Sequence, residues 1–388
     1  MDTGNEINRK LLYIGYYVDE DTFENAIKEG NSDLSRARQN FEKRLLNEIQ
    51  NILPHKNLLI ASYFPITGHF RKEESYINNN PVDVFAFSQS LSDCFAAYNA
   101  FRKYLIDLKI QNCNILFYSL HPVLALACLS LKRKLNLTII TICSELPQFR
   151  ASGNRISFKR KIKNKLQGIL NKKVDKYILF SESMKKIIPV RNKPYVVVEG
   201  ITPELDILPR QYKENIVMYA GGMGKQNNIP ILVEACIKSS MVKELWICGD
   251  GEDSEYVKNK AGNKIKYLGN LTNEEVLLIE QKAKILVNLR DPRIQITKYA
   301  FPSKILEYLA AGVIVISTRL EGIQKEYFDY LVPIDNISVD SVAKTIDSIL
   351  MLDKEEYTNK CESGRNWVLN NKSAKIQAGK IITFIFTT

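Results

Sequence analysis

The residues best suited to chemistry in this chain are gathered in one stretch, "YAFPSKILEYLAAGVIVIST" at 299–318. Pro302, Ser303, Lys304 and Glu307 stand at the head of a short apolar run that stops at Gly312 and passes directly into a β-branched segment. Proline suits the first helical position, where its missing N–H costs nothing, and glycine suits the residue just past a helix end. The spacing therefore predicts a helix over 302–311. Ile305, Leu306, Leu309 and Ala310 fall on one stripe, while Ser303 and Glu307 share another face with Lys304 beside them. A helix N-terminus with a lysine next to it attracts phosphate oxygens. A carboxylate more than a turn further in suits neutral hydroxyls, such as those of a ribose, from which it accepts hydrogen bonds. The expected division of labour is the helix head for phosphate and Glu307 for sugar hydroxyls.

Three further groups have related character. In "MYAGGMGKQNNIPILVEA", Gly221, Gly222 and Gly224 follow an apolar strand and open a helix, so the backbone can approach a ligand closely. The spacing is neither that of a Walker A loop nor G-x-G-x-x-G, and a plain tight turn and a phosphate loop both stay open. "WICGDGEDSEYV" ends a buried strand with Gly249, Asp250 and Gly251, which reads mainly as a structural turn. "ILVNLRDPR" carries Asn288, Arg290 and Arg293 past a strand end, where a guanidinium can meet a phosphate or simply water.

Something must position these groups, and the chain has the length for it. At 388 residues, with a prior of roughly 150 residues per domain, two or three domains are expected. Short β-branched or aromatic runs at 10–18, 57–64, 82–87, 114–120, 137–144, 176–181 and 195–199 alternate with stretches of helical periodicity. Such alternation implies parallel strands joined by helical crossovers. The pattern pauses at a proline-containing connector and resumes with "NIVMYAGG", "KELWICGDG", "IKYLGN", "KILVNLR" and "VIVIST". The fold class expected is α/β, with two doubly wound domains facing across a cleft. Their bounds are 1–200 for the first, 201–213 for a linker, 214–370 for the second, and 371–388 for a C-terminal segment packing back on the first. Doubly wound sheets bind ligands at the carboxyl ends of their strands.

Composition narrows the partners. The seven cysteines are scattered without a C-x-x-C pair, and the three histidines, His55, His69 and His121, are not clustered with them. No metal site and no disulfide framework is expected. The formal charge of +11 points to an anionic partner. Residues 154–177, "NRISFKRKIKNKLQGILNKKVDKY", place Phe158, Ile162, Leu166, Ile169 and Leu170 at helical spacing among Lys159, Arg160, Lys161, Lys163, Lys165, Lys172 and Lys173. This is a basic amphipathic helix, suited either to the surface of its own domain or to an anionic membrane face. No helix-turn-helix, RNP-like or zinc-finger pattern supports nucleic acid as a partner. The N-terminus lacks a basic start and a small-residue cleavage site, and no apolar run reaches the ~18 residues of a spanning helix. A cytoplasmic protein is expected, peripheral at the inner face of the plasma membrane if that helix attaches.

The ordered set "YAGGMGK…LVEA…ICGDGEDSE…YLGNLTNEEV…KILVNLR…FPSKILEYLAAGVIVIST" resembles the nucleotide-sugar domain of retaining GT-B glycosyltransferases of family 4, especially the capsular and exopolysaccharide type. The resemblance covers about 214–335 well and the first domain loosely. It implies a metal-independent transferase without a cofactor. The donor would be a nucleoside-diphosphate sugar, expected to be UDP-linked, held by the second domain, and the acceptor would be a saccharide or lipid-linked molecule held by the first. By this resemblance Glu307 matches the second glutamate of a paired-glutamate motif and holds the ribose. The backbone of Phe301, Pro302 and Ser303 would cradle the diphosphate, Gly221 and Gly222 would line the cleft, and Leu268, Gly269 and Asn270 would lie near the base.

The chain also departs from that pattern. Tyr299 stands where the first glutamate of the motif belongs, and Gly222 where a phosphate-gripping arginine is common. Lys225 is the nearest match to the accompanying lysine. Cys143 takes the place of a cleft histidine, with Glu145 in the acidic position before Leu-Pro. Arg290 and Lys304 would then supply positive charge to the departing diphosphate, and Glu145 would align acceptor or sugar, with His121 and His69 as alternatives. A sugar-nucleotide epimerase, a phosphorylase and a non-catalytic partner subunit of another transferase remain alternatives at this point.

Overall fold

Residues 10–28, 34–66, 68–78, 80–144, 158–205 and 214–387 are described by the computed structural model, the segment 158–164 by its backbone alone. They fall into two units. One comprises Met1–Phe180, Met184–Val198 and Ala374–Thr388, and the other Ser181–Ser183 and Glu199–Ser373.

The first unit is built on eight strands: β1 (Leu11–Gly15), β2 (Leu58–Pro65), β3 (Arg71–Ile77), β4 (Asn80–Phe87), β5 (Asn114–Tyr118), β6 (Thr138–Cys143), β7 (Lys176–Leu179) and β8 (Tyr195–Val197). Their order is β3-β4-β2-β1-β5-β6-β7-β8. Every residue of β1 is buried, as expected of a central strand covered on both faces. The sheet is not wholly parallel, because β3 pairs antiparallel with β4. Nothing in the apolar pattern pointed to β3, whose first four residues, Arg71 to Glu74, are all exposed. A charged edge strand carries little hydrophobic signal, and its charges discourage pairing with another chain. The hairpin signal was instead the "INNNP" turn, where Asn78 adopts a left-handed φ of 47°.

Six strands form the second sheet: β9 (Ile216–Ala220), β10 (Glu244–Cys248), β11 (Ile265–Gly269), β12 (Ile285–Asn288), β13 (Ile314–Thr318) and β14 (Leu331–Ile334). They run in the order β11-β10-β9-β12-β13-β14, every pair parallel. β14 escaped the sequence reading because it is short and contains Pro333, which an edge strand tolerates. Side chains along β9 alternate between two cores. Val217 and Tyr219 join helices Ile229–Lys238 and Val339–Leu350, whereas Ile216, Met218 and Ala220 join helices Lys304–Ala310 and Lys354–Lys372. Strand order reverses at β9, between β10 and β12, and this is the switch point where such sheets open to ligands.

The helix expected at 302–311 begins later, at Lys304, and ends at Ala310. Phe301 and Pro302 are buried in the approach, with the Phe301 ring 5.1 Å from that of Tyr327. The first turn is tight: Ile305 N–H bonds Pro302 O and Leu306 N–H bonds Ser303 O, each at 3.0 Å. Proline thus leads into the helix instead of occupying its first position.

The helix Ala374–Phe386 packs on helix Arg36–Ile52 within the first unit. Lys176 Nζ donates to the carbonyls of Phe384 and Ile385 at 3.2 and 3.1 Å, groups that a helix end otherwise leaves open. In the second unit, Thr202 pairs with Ser373 and its N–H bonds Lys372 O at 2.9 Å. Lys372 Nζ lies 2.8 Å from Glu199, whose side chain is 0% exposed, and 2.9 Å from Glu326. The ammonium also sits over the rings of Tyr327 and Trp367.

Replacing Lys372 by Met leaves Glu199 buried without its ammonium, and a loss of about 3–5 kcal/mol in stability is expected. Both tryptophans, Trp246 and Trp367, belong to the second unit, so urea unfolding followed by tryptophan fluorescence reads this loss there. An unchanged midpoint would contradict it.

Candidate functional site

The site begins where two strands part. β9 pairs with β12 only through Val217 and Met218, so the backbone of Ala220 has no strand neighbour on that side. Tyr308, from helix Lys304–Ala310, fills the gap. Its buried hydroxyl accepts from Ala220 N–H and donates to Ala220 O, both at 3.0 Å. A side chain thus takes over the role of a ladder hydrogen bond, and it ties the helix head to the turn that follows β9.

That turn is fastened to the one after β10. Gly221 N–H bonds Cys248 O at 2.9 Å, Met223 N–H bonds Asp250 O at 2.8 Å, and Asp253 N–H bonds Met223 O at 2.9 Å. The fit demands glycine at Gly249, whose φ is +127° and where a Cβ would lie 2.0 Å from Gly221 O. The carbonyl of Gly222 receives the Tyr219 hydroxyl and Asn227 Nδ2, each at 2.6 Å. Gly222 itself is exposed and Gly221 half-buried, so this stretch of backbone lies open to a ligand. The turn after β11 joins the same edge, with Gly249 N–H bonded to Gly269 O at 2.8 Å. Leu268 and Gly269 are half-buried there, Asn270 is exposed, and Lys225 is exposed on a short turn beyond Gly224.

The charged groups fall into two sets. Arg290 follows β12, and burial holds its guanidinium below the ordinary arginine value, with the hydroxyls of Tyr219 and Tyr308 as its ionisable neighbours. No carboxylate among the described residues pairs with it. Arg293, by contrast, is turned back on Asp291 through bonds of 2.9 and 2.7 Å, and Asn288 is buried with its amide on Ser317 Oγ at 2.9 Å. Of Asn288, Arg290 and Arg293, at and beyond the end of β12, Arg290 is the one left to meet an anion.

Lys304 belongs to a second set that the sequence did not reveal. Its Nζ lies 2.7 Å from Glu307 Oε2 and 3.4 Å from Oε1 of Glu280, the last residue of helix Asn273–Glu280. Glu280 is 0% exposed, and its Oε2 has no hydrogen-bond partner among the described residues. The two partners respond in opposite senses. The lysine, although half-buried, is pushed up by the adjacent carboxylates, whereas burial drives the Glu280 carboxyl up to about 8 despite the ammonium. Lys304 is therefore already engaged by carboxylates rather than free for phosphate. Glu307 spends one oxygen on that lysine. Ser303, at the head, is exposed.

In the first unit Glu145 lies outside the described residues. Cys143, at the end of β6, is buried, and its thiol is pushed up to about 12 by desolvation. His121 is buried between the rings of Tyr63 and Phe87, at 4.1 and 5.4 Å, while His69 is fully exposed, 3.8 Å from Asp93. A carboxylate that sequence reasoning missed, Glu42, is 0% exposed beside β1 and accepts from Tyr13 Oη and Tyr16 N–H, each at 2.9 Å. Burial raises it to about 7 against those hydrogen bonds. The basic segment forms helix Phe158–Asn171, in which Leu170 is buried but Ile169, expected on the apolar stripe, is 48% exposed. No helix among the described residues is long and apolar enough to cross a membrane.

Residues 214–351 match the family model described as glycosyl transferases group 1. No curated protein matches the chain. Among solved structures, the E. coli trehalose-6-phosphate protein bound with UDP-2-fluoro glucose is similar over 98% of this chain and 99% of its own, at TM-score 0.64 and 10% identity. Sucrose-phosphate synthase from Thermosynechococcus elongatus is similar over 96% of this chain and 97% of its own, at TM-score 0.64 and 12% identity. Alr3699/HepE from Anabaena in complex with UDP covers 96% of this chain and 98% of its own, at TM-score 0.63 and 10% identity. The fold is that of GT-B glycosyltransferases, and the glycine turns, Arg290 and the Lys304 set all lie within the matched domain.

Tyr308→Phe strands both the N–H and the carbonyl of Ala220. A loss of about 1–3 kcal/mol is expected in the tryptophan-detected unfolding of the second unit. A change within error of zero would mean that the hydroxyl does not close the sheet.

Proposed function

We propose that this protein is a glycosyltransferase that moves a sugar from a UDP-linked or related nucleoside-diphosphate donor to a saccharide or lipid-linked acceptor. Transfer occurs with retention at the anomeric carbon, and the product belongs to a bacterial surface polysaccharide. The observation that carries the reading is the convergence, at one switch point in the matched domain, of an open glycine turn, an arginine with no carboxylate partner among the described residues, and a helix head bearing Lys304 and Glu307. The UDP held by similar structures supports the choice of donor.

The roles follow from charge. Cleavage of the anomeric C–O bond leaves negative charge on the diphosphate, and Arg290 with the backbone of Phe301 to Ser303 meets it. The acceptor hydroxyl attacks from the leaving-group face and passes its proton to the departing phosphate oxygen, so the new C–O bond replaces the old with its configuration kept. Glu307 accepts from the ribose through the oxygen not spent on Lys304. Gly221 and Gly222 give the donor backbone access, Leu268 to Asn270 face its base, and Glu145 aligns acceptor or sugar. This division leaves no step for a metal or cofactor. The basic segment 154–177 holds the protein at an anionic membrane surface where lipid-linked acceptors lie.

Calorimetric titration with UDP, GDP and ADP tests the donor site. One diphosphate is expected to bind, about ten- to a hundredfold more weakly in Arg290→Ala and about tenfold more weakly in Glu307→Ala. Heat absent with all three, or unaffected by both substitutions, would sink the assignment. Sugar transfer is expected to survive EDTA, and its abolition with rescue by Mg²⁺ would refute metal independence. Co-sedimentation with anionic vesicles should fall when Lys159, Arg160, Lys161 and Lys163 are made neutral.

A further inference from the structure

Glu280 is the buried polar group that the reading above does not use. It belongs to helix Asn273–Glu280, which makes no other contribution to the site, yet its carboxyl reaches under the helix head to Lys304. Three facts define its situation. It is wholly buried, its Oε1 is 3.4 Å from Lys304 Nζ while Glu307 Oε2 is nearer at 2.7 Å, and its Oε2 meets no donor or acceptor among the described residues. One ammonium thus faces two carboxylates in a desolvated setting. If both ionise, a net negative charge is left beneath the surface where a phosphate is to bind, which burial penalises strongly.

A diphosphate sharpens that conflict. Its oxygens would become a third claimant on the same ammonium, and their charge would oppose an ionised Glu280 in a medium that screens poorly. Protonating Glu280 resolves the conflict: the proton takes the orphaned Oε2, the carboxyl becomes neutral, and Lys304 keeps one carboxylate partner and gains the phosphate. Resting on the donor-site reading, we propose that Glu280 is a positioning residue whose protonation releases Lys304 to the diphosphate, so that donor binding draws a proton from solvent.

The surrounding groups leave the titration to Glu280. On helix Lys304–Ala310 the facing groups are Lys304, Glu307 and Tyr308, and on β10 the facing group is Cys248, with Glu275 of the same helix nearby. Burial pushes both the Tyr308 hydroxyl and the Cys248 thiol above their ordinary values, so neither ionises near neutrality. Glu275 is held low by the Thr272 N–H of its capping box and stays charged. Glu280 itself, raised by burial to about 8, is the group poised to exchange a proton in the working range. The sign follows: affinity is full while Glu280 is protonated and is lost as pH rises through its value.

UDP-glucose, GDP-mannose and ADP-glucose are suitable probes, because their diphosphates carry no ionisation of their own between about pH 6 and pH 9. Titration calorimetry near pH 8 in buffers of different ionisation enthalpy counts the protons. Uptake of up to about half a proton is expected for the wild type, with Kd rising about tenfold between about pH 7 and pH 9. Glu280→Gln, which keeps the shape and the acceptor facing Lys304, should still bind, exchange no proton and show a flat profile. Binding by the wild type without proton uptake overturns the role of Glu280 whether or not the variant folds. So does the same uptake in both proteins. No binding of any donor to the wild type overturns the donor site itself, and the role of Glu280 with it.

Discussion

A single phenolic hydroxyl holds the second sheet's switch point together. β9 must separate from β12 for the edge to open, and the separation leaves Ala220 with a donor and an acceptor that water would otherwise have to satisfy. Tyr308 satisfies both. Because the same residue belongs to the helix bearing Lys304 and Glu307, closing the gap also sets the height of that helix against the turn at Gly221 and Gly222. The constraint propagates further through the bond from Gly221 to Cys248 and the glycine at 249, so three strand ends share one framework.

The two kinds of cation at this edge serve different ends. Arg290 is half-buried and pairs with no carboxylate among the described residues, so its charge is uncommitted there. Lys304 is committed to Glu307 and Glu280 before any ligand comes. An uncommitted lysine at a helix head would repel little and bind any phosphate in reach. One held by carboxylates is less available to a bare phosphate.

Most of the fold could be read in advance because central parallel strands are buried on both faces and appear as unbroken apolar runs, as "LLYIG" and "IVMYA" do. β3 and β14 could not, being edge strands whose residues are charged or interrupted by proline. Glycines and the residues after strand ends were legible as candidates from spacing. Their partners were not: that Arg293 folds back on Asp291, that Asn288 turns to Ser317, and that Glu280 comes from 24 positions upstream to meet Lys304 are facts of tertiary placement. The helix start was misjudged because proline's preference for the first position yielded to the burial of Phe301 and Pro302.

The pairing of Thr202 with Ser373 has a consequence for how such a chain can evolve. Apart from the short piece Ser181–Ser183, the second unit is one continuous span whose two ends are hydrogen-bonded to each other and pinned by Lys372 to Glu199. A segment with adjoining ends can be cut from one gene and spliced into another without asking the host to bridge a distance. The unit that carries the matched domain is thus built as a cassette, and exchanging it is a short genetic route to a new second unit on an old first one.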